Sequence, residues 1–348
     1  MSRAHLHAAS TVSRRRLLTL AAGGTLAIIS ADRLHAAAQS TPIPESPGKG
    51  TFLDADVVHD IAVTFEQSVY DAMVETYANT GDKEWIEATV AIDGATYAST
   101  GMRLKGNSSL MGLRMAQDDR ANRGAPLGGA GGNLAAEEPE GLPWLIRLDK
   151  YDTDQRHGDI TELVIRSNPS ATSLNEAVAL ELLAAAGLAS QRAAATAFRV
   201  NSGAPALRLA IEHPNDAWMA AHFSADGLLY KSEATGNWTY RGDDPAAYKE
   251  VFDLEAGGTG DDAADMAPLV GFLDFLNNSK DATFIAELSD RLDVDQFAIY
   301  LAMMDLIVNF DDIDGPGNNA YLYYDPAARR FTVVPWDMNL AFSGAGAG

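Results

Sequence analysis

The sequence predicts an α+β protein with a sheet-rich N-terminal part and a helical C-terminal part. Before residue 235, short runs rich in β-branched and aromatic residues recur between turn signals, with two helical patterns among them. After residue 245, apolar residues recur at spacings of three and four, and a polar hairpin closes the pattern. The 348 residues, 47% of them hydrophobic, are enough to bury a sizeable core.

The N-terminus has the pattern of an export signal. Residues 13–18 read SRRRLL, which matches the twin-arginine motif, and residues 17–30 form an apolar stretch too short to span a bilayer. An A-x-A site precedes Gln39, so we expect a signal peptide at 1–38, followed by a linker rich in Pro, Ser and Gly at 39–50. The mature protein is expected in the periplasm, at the cell surface or outside the cell. The alternative is a basic tail followed by a short buried helix.

Charge and cysteine content exclude several functions. The formal net charge is −22, and loss of the signal, with five arginines and one aspartate, lowers it to −26. Such a chain repels phosphates and anionic headgroups, so we expect no nucleic-acid partner, and no later segment is long and apolar enough to span a membrane. The absence of cysteine from the sequence excludes disulfides, thiolate metal sites and a cysteine nucleophile.

The first elements of the mature chain are mostly strands. Asp93-Gly94 is a hairpin turn signal between two β-like runs, and the polar, glycine-rich residues 118–140 indicate a flexible insertion. In chain order the predicted elements are a strand at 57–65, a helix at 66–80, and strands at 85–92, 96–104, 143–148 and 161–166.

The strongest helical pattern follows at 173–186. Ser173 and Glu176 have the spacing of a capping box, and Gly187 stands where a C-cap glycine belongs. The remaining predicted elements are strands at 194–200, 206–212 and 227–231, helices at 266–277, 281–288 and 294–309, and a hairpin pairing 320–324 with 331–334. Because a helical layer normally backs such a hairpin, we expect the domain to be truncated at its C-terminus.

Oxygen-bearing side chains are concentrated around that closing hairpin, in NFDDIDGPGNNAYLYYDPAARRFTVVPWDMN (309–339). Asp314 and Asn319 are five residues apart, and Asp337 follows the hairpin. Phosphoryl transfer in protein kinases uses this order of a base, a metal ligand and a second metal ligand, because the transferred group is highly charged and needs magnesium held by oxygen atoms. The alternative is a loop of Asx turns. An EF-hand calcium loop does not fit, since Phe310 and Tyr321 would occupy ligand positions.

Six ordered segments resemble landmarks of the spore coat protein H (CotH) kinase family. They are GMRLKGNSSL, PWLIRLDKY, SLNEAVALELLAAAGLAS, LLYKSE, NFDDIDGPGNNAYLYYD and VVPWDMNLAF, and the resemblance extends from Phe52 to the end of the chain. It implies an atypical protein-kinase-like fold with two lobes, an N-lobe at about 51–235 and a C-lobe from about 245. It also implies an enzyme that transfers phosphate from ATP, with Mg²⁺ or Mn²⁺, to serine or threonine hydroxyls of a secreted or cell-surface protein.

The resemblance also implies the roles of residues near the hairpin. Asp314 would be the catalytic base, and Asn319 and Asp337 would hold the metal. Glu176 would pair with the cation that binds the phosphates.

The nucleotide-binding residues are less sharply defined. The loop formed by Lys105, Gly106, Asn107 and Ser108 would cover the phosphates, in place of the glycine-rich loop of other kinases. The phosphate-binding cation could be Lys105, Arg147 or Lys231, with Arg147 the candidate on the following strand. Two other functions stay open: a catalytically silent surface module for a partner or cell-wall ligand, and metal-dependent hydrolysis of phosphate esters.

Overall fold

Seven strands of the N-terminal part close into a β-barrel. The computed structural model describes residues 52–114, 134–167, 172–233 and 235–342; the predicted signal, the linker and most of the predicted insertion lie outside them. The barrel strands are β1 (His59–Thr64), β2 (Ile86–Ile92), β3 (Ala95–Leu104), β4 (Trp144–Arg147), β5 (Glu162–Ile165), β6 (Ala193–Val200) and β7 (Ala206–Glu212).

The barrel closes through one parallel pair of strands distant in sequence. Its strand order is β1, β2, β3, β4, β5, β7, β6, and β6 returns to lie parallel to β1, with Ile61 opposite Phe198. Alternate residues of each strand face the interior, where Val90, Met102 and Trp144 are fully buried. Helix α1 (Gln67–Thr80) and the short helix α2 (Met111–Arg114) precede and follow β2 and β3.

A second sheet lies beside the barrel. Its four strands, in the order β11, β10, β8, β9, are β8 (Leu228–Ser232), β9 (Phe252–Ala256), β10 (Ala320–Asp325) and β11 (Arg330–Pro335). A buried apolar cluster joins the sheet to the outside of the barrel, because Leu145 and Val164 of the barrel pack with Tyr321, Val334 and Trp336. Five further helices complete the described part of the chain: α3 (Leu174–Ala185), α4 (Asp216–His222), α5 (Asp262–Asn278), α6 (Asp281–Arg291) and α7 (Val294–Leu306).

The predicted two-lobe kinase fold with a helical C-terminal lobe is wrong. The N-terminal strands form a closed barrel, and the closing hairpin pairs with β8 and β9 in a four-stranded sheet. Strand-to-strand pairing across long sequence separations decides this architecture. Local periodicity, which predicts the strands individually, carries no information about their partners.

The predicted turn at Asp93-Gly94 and the predicted C-cap at Gly187 are confirmed. Asp93 and Gly94 both have positive φ (49° and 87°), as the tight turn between β2 and β3 requires. After α3, Gly187 adopts φ 82°, and the backbone N–H groups of Gly187 and Leu188 donate to the carbonyls of Ala184 and Leu183, which is a Schellman C-cap. Strand β9 and helix α4 were not predicted. No helix in the described part of the chain is long and apolar enough to cross a membrane.

Candidate active site

A buried arginine joins two acidic groups from distant parts of the chain. Arg166, directly after β5, donates from Nε to both carboxylate oxygens of Glu176 on α3 at 3.0 Å, and its Nη2 also donates to Glu176. The same Nη2 donates to Oδ1 of Asp337, after β11, at 2.5 Å. Arg166 and Glu176 are 9% and 1% exposed, so this ion network lies in a low-dielectric environment.

The ionisation of this network follows from burial and its two carboxylates. Burial alone would lower the pKa of Arg166, but Asp337 and Glu176 raise it above its ordinary value, so the guanidinium is charged throughout the physiological range. Burial raises the pKa of Glu176, the Arg166 charge opposes that rise, and Asp337 adds to it.

Helix α3 fixes both sides of the network. Glu176 lies in its first turn, and the neighbouring Asn175 donates from Nδ2 to the backbone oxygens of Asn339 at 2.7 Å and Ala341 at 3.3 Å. The helix therefore supplies one carboxylate and also holds the segment that carries Asp337. Ser173 is at the N-cap, as predicted, but its side chain makes no capping hydrogen bond, and Glu176 binds Arg166.

The Trp336 ring lies close to both this network and a second buried cation. The Arg166 guanidinium lies 5.3 Å from the Trp336 ring centroid, and Nζ of Lys105, at the end of β3, lies 5.8 Å from it. Lys105 Nζ donates to His213 Nε2 at 2.9 Å, and His213 Nδ1 donates to Glu162 Oε2 at 2.8 Å. We assign these directions because burial and the charge of Lys105 lower the pKa of His213 to about 3, leaving the imidazole neutral.

Lys105 belongs to a cluster of mutually repelling cations. Burial lowers its pKa to about 8; the charge of Glu255 opposes this shift, and Arg103, Lys231 and Lys83 add to it. Carboxylates that act on this cluster include Glu162, Glu233, and Asp253 and Glu255 of β9. Burial and Glu233 raise the pKa of Asp253 to about 6. The cluster is therefore the part of the site best suited to an anion such as a phosphate, which would relieve the repulsion.

The predicted phosphate loop lies beside this cluster. Lys83 Nζ donates to Asn107 Oδ1 at 3.2 Å. Gly106 has φ 127°, and a Cβ atom there would lie 2.4 Å from Ser109 Oγ, so the loop requires glycine at this position. Ser108 begins the 3₁₀ turn Ser108–Leu110.

The other two predicted cations, Arg147 and Lys231, make contacts of their own. Arg147 binds Asp149 at 2.8 Å and Glu162 at 3.3 Å, so the partner of Glu176 is Arg166 and not Arg147. Lys231 lies 5.7 Å from the Tyr321 ring centroid and donates to the backbone oxygen of Ser232. The signal for Arg166 in the sequence is a charged residue directly after the apolar run LVI. His213 and Glu255 had no such signal.

The loop before β10 places its three aspartates in different environments. Asp311 accepts a hydrogen bond from Nδ2 of Asn319 at 2.8 Å, and Asn319 itself has φ 53°. Burial, together with the charge of Asp337, raises the pKa of Asp311. Asp312 is buried and accepts from the backbone N–H groups of Asp314 and Gly315, forming the Asx turn weighed above. Asp314 is exposed at the loop surface.

The oxygen-bearing side chains near Asp337 are of the kinds that hard divalent cations bind. Among the described residues, no three His, Asp or Glu side chains cluster so as to hold a metal by themselves, so a metal bound here would also need amide oxygens. In the same described part, the side-chain oxygens of Asn318 and Asn339 are buried without a hydrogen-bond donor. With Asp311, Asn319 and Asp337, the local donor set consists of carboxylates and amides, which suits Mg²⁺ or Mn²⁺.

Comparison with known families identifies a match. The sequence model of the family described as CotH kinase protein matches residues 132–347, more than half of the chain. The match includes Arg166, Glu176 and Asp337, whereas the Lys105 loop lies before its first residue. No curated protein matches the chain.

Proposed function

Because the chain belongs to the CotH kinase protein family, we propose that it is an exported protein kinase that transfers the γ-phosphoryl group of ATP to serine or threonine hydroxyls of a secreted or cell-surface protein. The observation that carries this proposal is the Glu176–Arg166–Asp337 network, with the desolvated Lys105 close to the same Trp336 ring. Export rests on the SRRRLL motif and the apolar stretch after it.

Each part of the site has a role in this reaction. Lys105 and the neighbouring cations bind the phosphates of ATP, and the backbone of the Gly106 loop approaches them closely. Arg166 stabilises the charge that develops on the transferred group, while Glu176 keeps the guanidinium in place. Mg²⁺ or Mn²⁺, held by Asp337 and Asn319 with Asp311 beside them, would neutralise phosphate charge.

The acceptor hydroxyl is activated from the solvent side. Asp314 is the proposed base, and its exposed position suits a substrate that enters from outside. Its carboxylate accepts the hydroxyl proton as the oxygen attacks the γ-phosphorus, the bond to the β-phosphate oxygen breaks, and ADP leaves. The half-buried Asp311 would remain a ligand or a neighbour of the metal.

The test is transfer of labelled γ-phosphate from ATP by the purified protein without its signal. Asp314→Asn and Asp337→Ala should each reduce labelling by at least 100-fold, on the order expected for loss of a base or a metal ligand. Asp290→Asn, which changes an exposed aspartate on α6, is the matched control and should label like the wild type. Labelling that survives both site substitutions would remove these residues from the mechanism.

A catalytically silent binding module is the second candidate. The observation that favours it is the Arg166–Asp337 ion pair, which engages one of the oxygen atoms that a metal would use. Calorimetry of ATP with Mg²⁺ separates the two candidates, because a silent module would bind neither. Steady release of free phosphate without protein labelling would instead indicate the hydrolase considered above.

A further inference from the structure

The turn between the proposed base and the proposed metal ligand is held by a distant part of the chain. Gly317 lies between Asp314 and Asn319, and it is buried although Asp314 is exposed. Two donors converge on its carbonyl oxygen: the indole Nε1 of Trp238 at 2.7 Å and the hydroxyl of Ser232, the last residue of β8, at 3.2 Å. A carbonyl oxygen has two lone pairs, so both bonds can form at once.

The segment after β8 also touches this turn through its backbone. Gly236 has φ 56°, and a Cβ atom there would overlap the carbonyl oxygen of Pro316, so the two backbones are in direct contact. Within the loop itself, the Gly317 N–H donates to the backbone oxygen of Asp312 at 3.0 Å. The turn is therefore bonded at both the amide and the carbonyl of Gly317, and it cannot shift without breaking at least one of these contacts.

Trp238 is itself fixed by two neighbouring elements. Its backbone oxygen accepts a hydrogen bond from Nδ2 of Asn277, in the last turn of α5, at 2.9 Å. Its ring packs edge-on against Phe252 of β9, with the ring centroids 5.1 Å apart and an interplanar angle of 82°. Phe252 in turn lies opposite Ser232 in the pairing of β8 with β9. The second sheet and α5 therefore order both of the donors to Gly317.

We propose that Trp238 is a positioning residue of the candidate active site, which together with Ser232 sets the turn that carries Asp314 and Asn319. It acts through the Gly317 carbonyl and not on the substrate. A displacement of about 1 Å in a catalytic group can lower a rate about a hundredfold, so the indole donor should matter more to catalysis than to folding. The effect on catalysis rests on the proposed function, whereas the position of the turn can be measured without any activity.

Two substitutions separate the hydrogen-bond donor from the apolar ring. Trp238→Phe keeps a large aromatic ring against Phe252 and removes the donor. Trp238→His removes the six-membered ring, but Nε2 of the imidazole takes the position of the indole Nε1, so a donor is kept. Tyr240→Phe is the matched control, because it removes a hydroxyl that is bonded to Asp243 at 2.5 Å in the same segment.

The contact is measured first, without activity, from the ¹³C signal of the Gly317 carbonyl in labelled protein, which responds to hydrogen bonds at its oxygen. Trp238→Phe should shift this signal, whereas Trp238→His and Tyr240→Phe should leave it close to its wild-type position. An unchanged signal in Trp238→Phe would overturn the contact on which the positioning role depends.

Transfer of phosphate from ATP is then measured on the same variants. Trp238→Phe should lower kcat about ten- to hundredfold, whereas Trp238→His should stay within about threefold of the wild type and Tyr240→Phe should match it. Urea unfolding should give the opposite order for the two Trp238 variants, because the histidine ring buries less apolar surface and makes that variant the less stable one.

Activity that follows stability across these variants would overturn the positioning role, since a merely structural tryptophan would give the same order in both measurements. A wild type that transfers no phosphate would instead refute the proposed function. In that case the Gly317 carbonyl signal would still decide whether Trp238 fixes the turn.

Discussion

Replacing Lys105 with methionine should remove a pH dependence from the stability of this protein. Burial lowers the pKa of Lys105 from 10.5 to about 8, so the folded protein holds this proton less tightly than the unfolded chain does. Above pH 10.5 the lysine is neutral in both states. As the pH falls, the unfolded chain takes up the proton first, and stability decreases until Lys105 is itself protonated near pH 8.

The magnitude follows from the size of the shift. Each pKa unit corresponds to 1.36 kcal/mol, so lowering the pKa from 10.5 to about 8 makes the charged lysine cost about 3 kcal/mol of stability at pH 7. Methionine has a similar length and no charge, so it avoids this cost. It also leaves His213 Nε2 without its donor, a penalty of about 1–3 kcal/mol that does not vary across this pH range. The difference in the free energy of unfolding between Lys105→Met and the wild type should therefore change by about 3 kcal/mol between pH 8 and pH 10.5, whatever its value at pH 7.

Urea unfolding at intervals from pH 7 to pH 10.5 measures this difference. Lys280→Met, which removes an exposed lysine, is the matched control and should follow the wild-type curve. A constant difference between Lys105→Met and the wild type from pH 8 to pH 10.5 would refute the assignment of Lys105 as a desolvated cation.

Three further predictions concern stability. Arg166→Met leaves the buried carboxylate of Glu176 unpaired and should lower the free energy of unfolding by about 3–5 kcal/mol in urea titrations, with a loss below 1 kcal/mol contradicting the buried network. Gly187→Ala, at φ 82°, should lower the free energy of unfolding by about 1 kcal/mol, whereas Gly271→Ala, in the interior of α5 with open space around it, should raise it by about 0.5–1 kcal/mol. Thermal unfolding measures both, and melting temperatures that shift in the same direction would contradict this prediction. Asp253→Asn should raise the free energy of unfolding above pH 6 but not at pH 4. Burial and Glu233 raise the pKa of Asp253 from 3.8 to about 6, so the wild type loses stability as the pH rises through this range and the unfolded chain ionises first. Equal effects of the substitution at both pH values would contradict this assignment.

Family membership was readable from the sequence because its motifs are local. The PWD segment and the helix of Glu176 are recognisable from consecutive residues, and the family match includes both. The turn at Asp93 and the cap at Gly187 were predictable for the same reason, since a positive φ depends on the residue type at one position. These features need no knowledge of which strands pair.

The partner of Glu176 could not be chosen on local grounds. Arg147 and Arg166 each stand at the end of an apolar strand, and both strands belong to the barrel. Only the fold shows that Arg147 meets Asp149 and Glu162, while Arg166 meets α3 and the segment after β11.

The sequence by itself determined most of the local elements, the acidic balance and the motifs that identify the family, because each depends on neighbouring residues. The tertiary structure decided that the N-terminal strands close into a barrel and that the hairpin joins a second sheet. It also decided that Arg166, Lys105 and His213 converge around Trp336. The physical reason is that strand pairing and buried ion pairs bring together residues more than 100 positions apart, and neither hydrophobic periodicity nor residue type specifies which of several similar groups will meet.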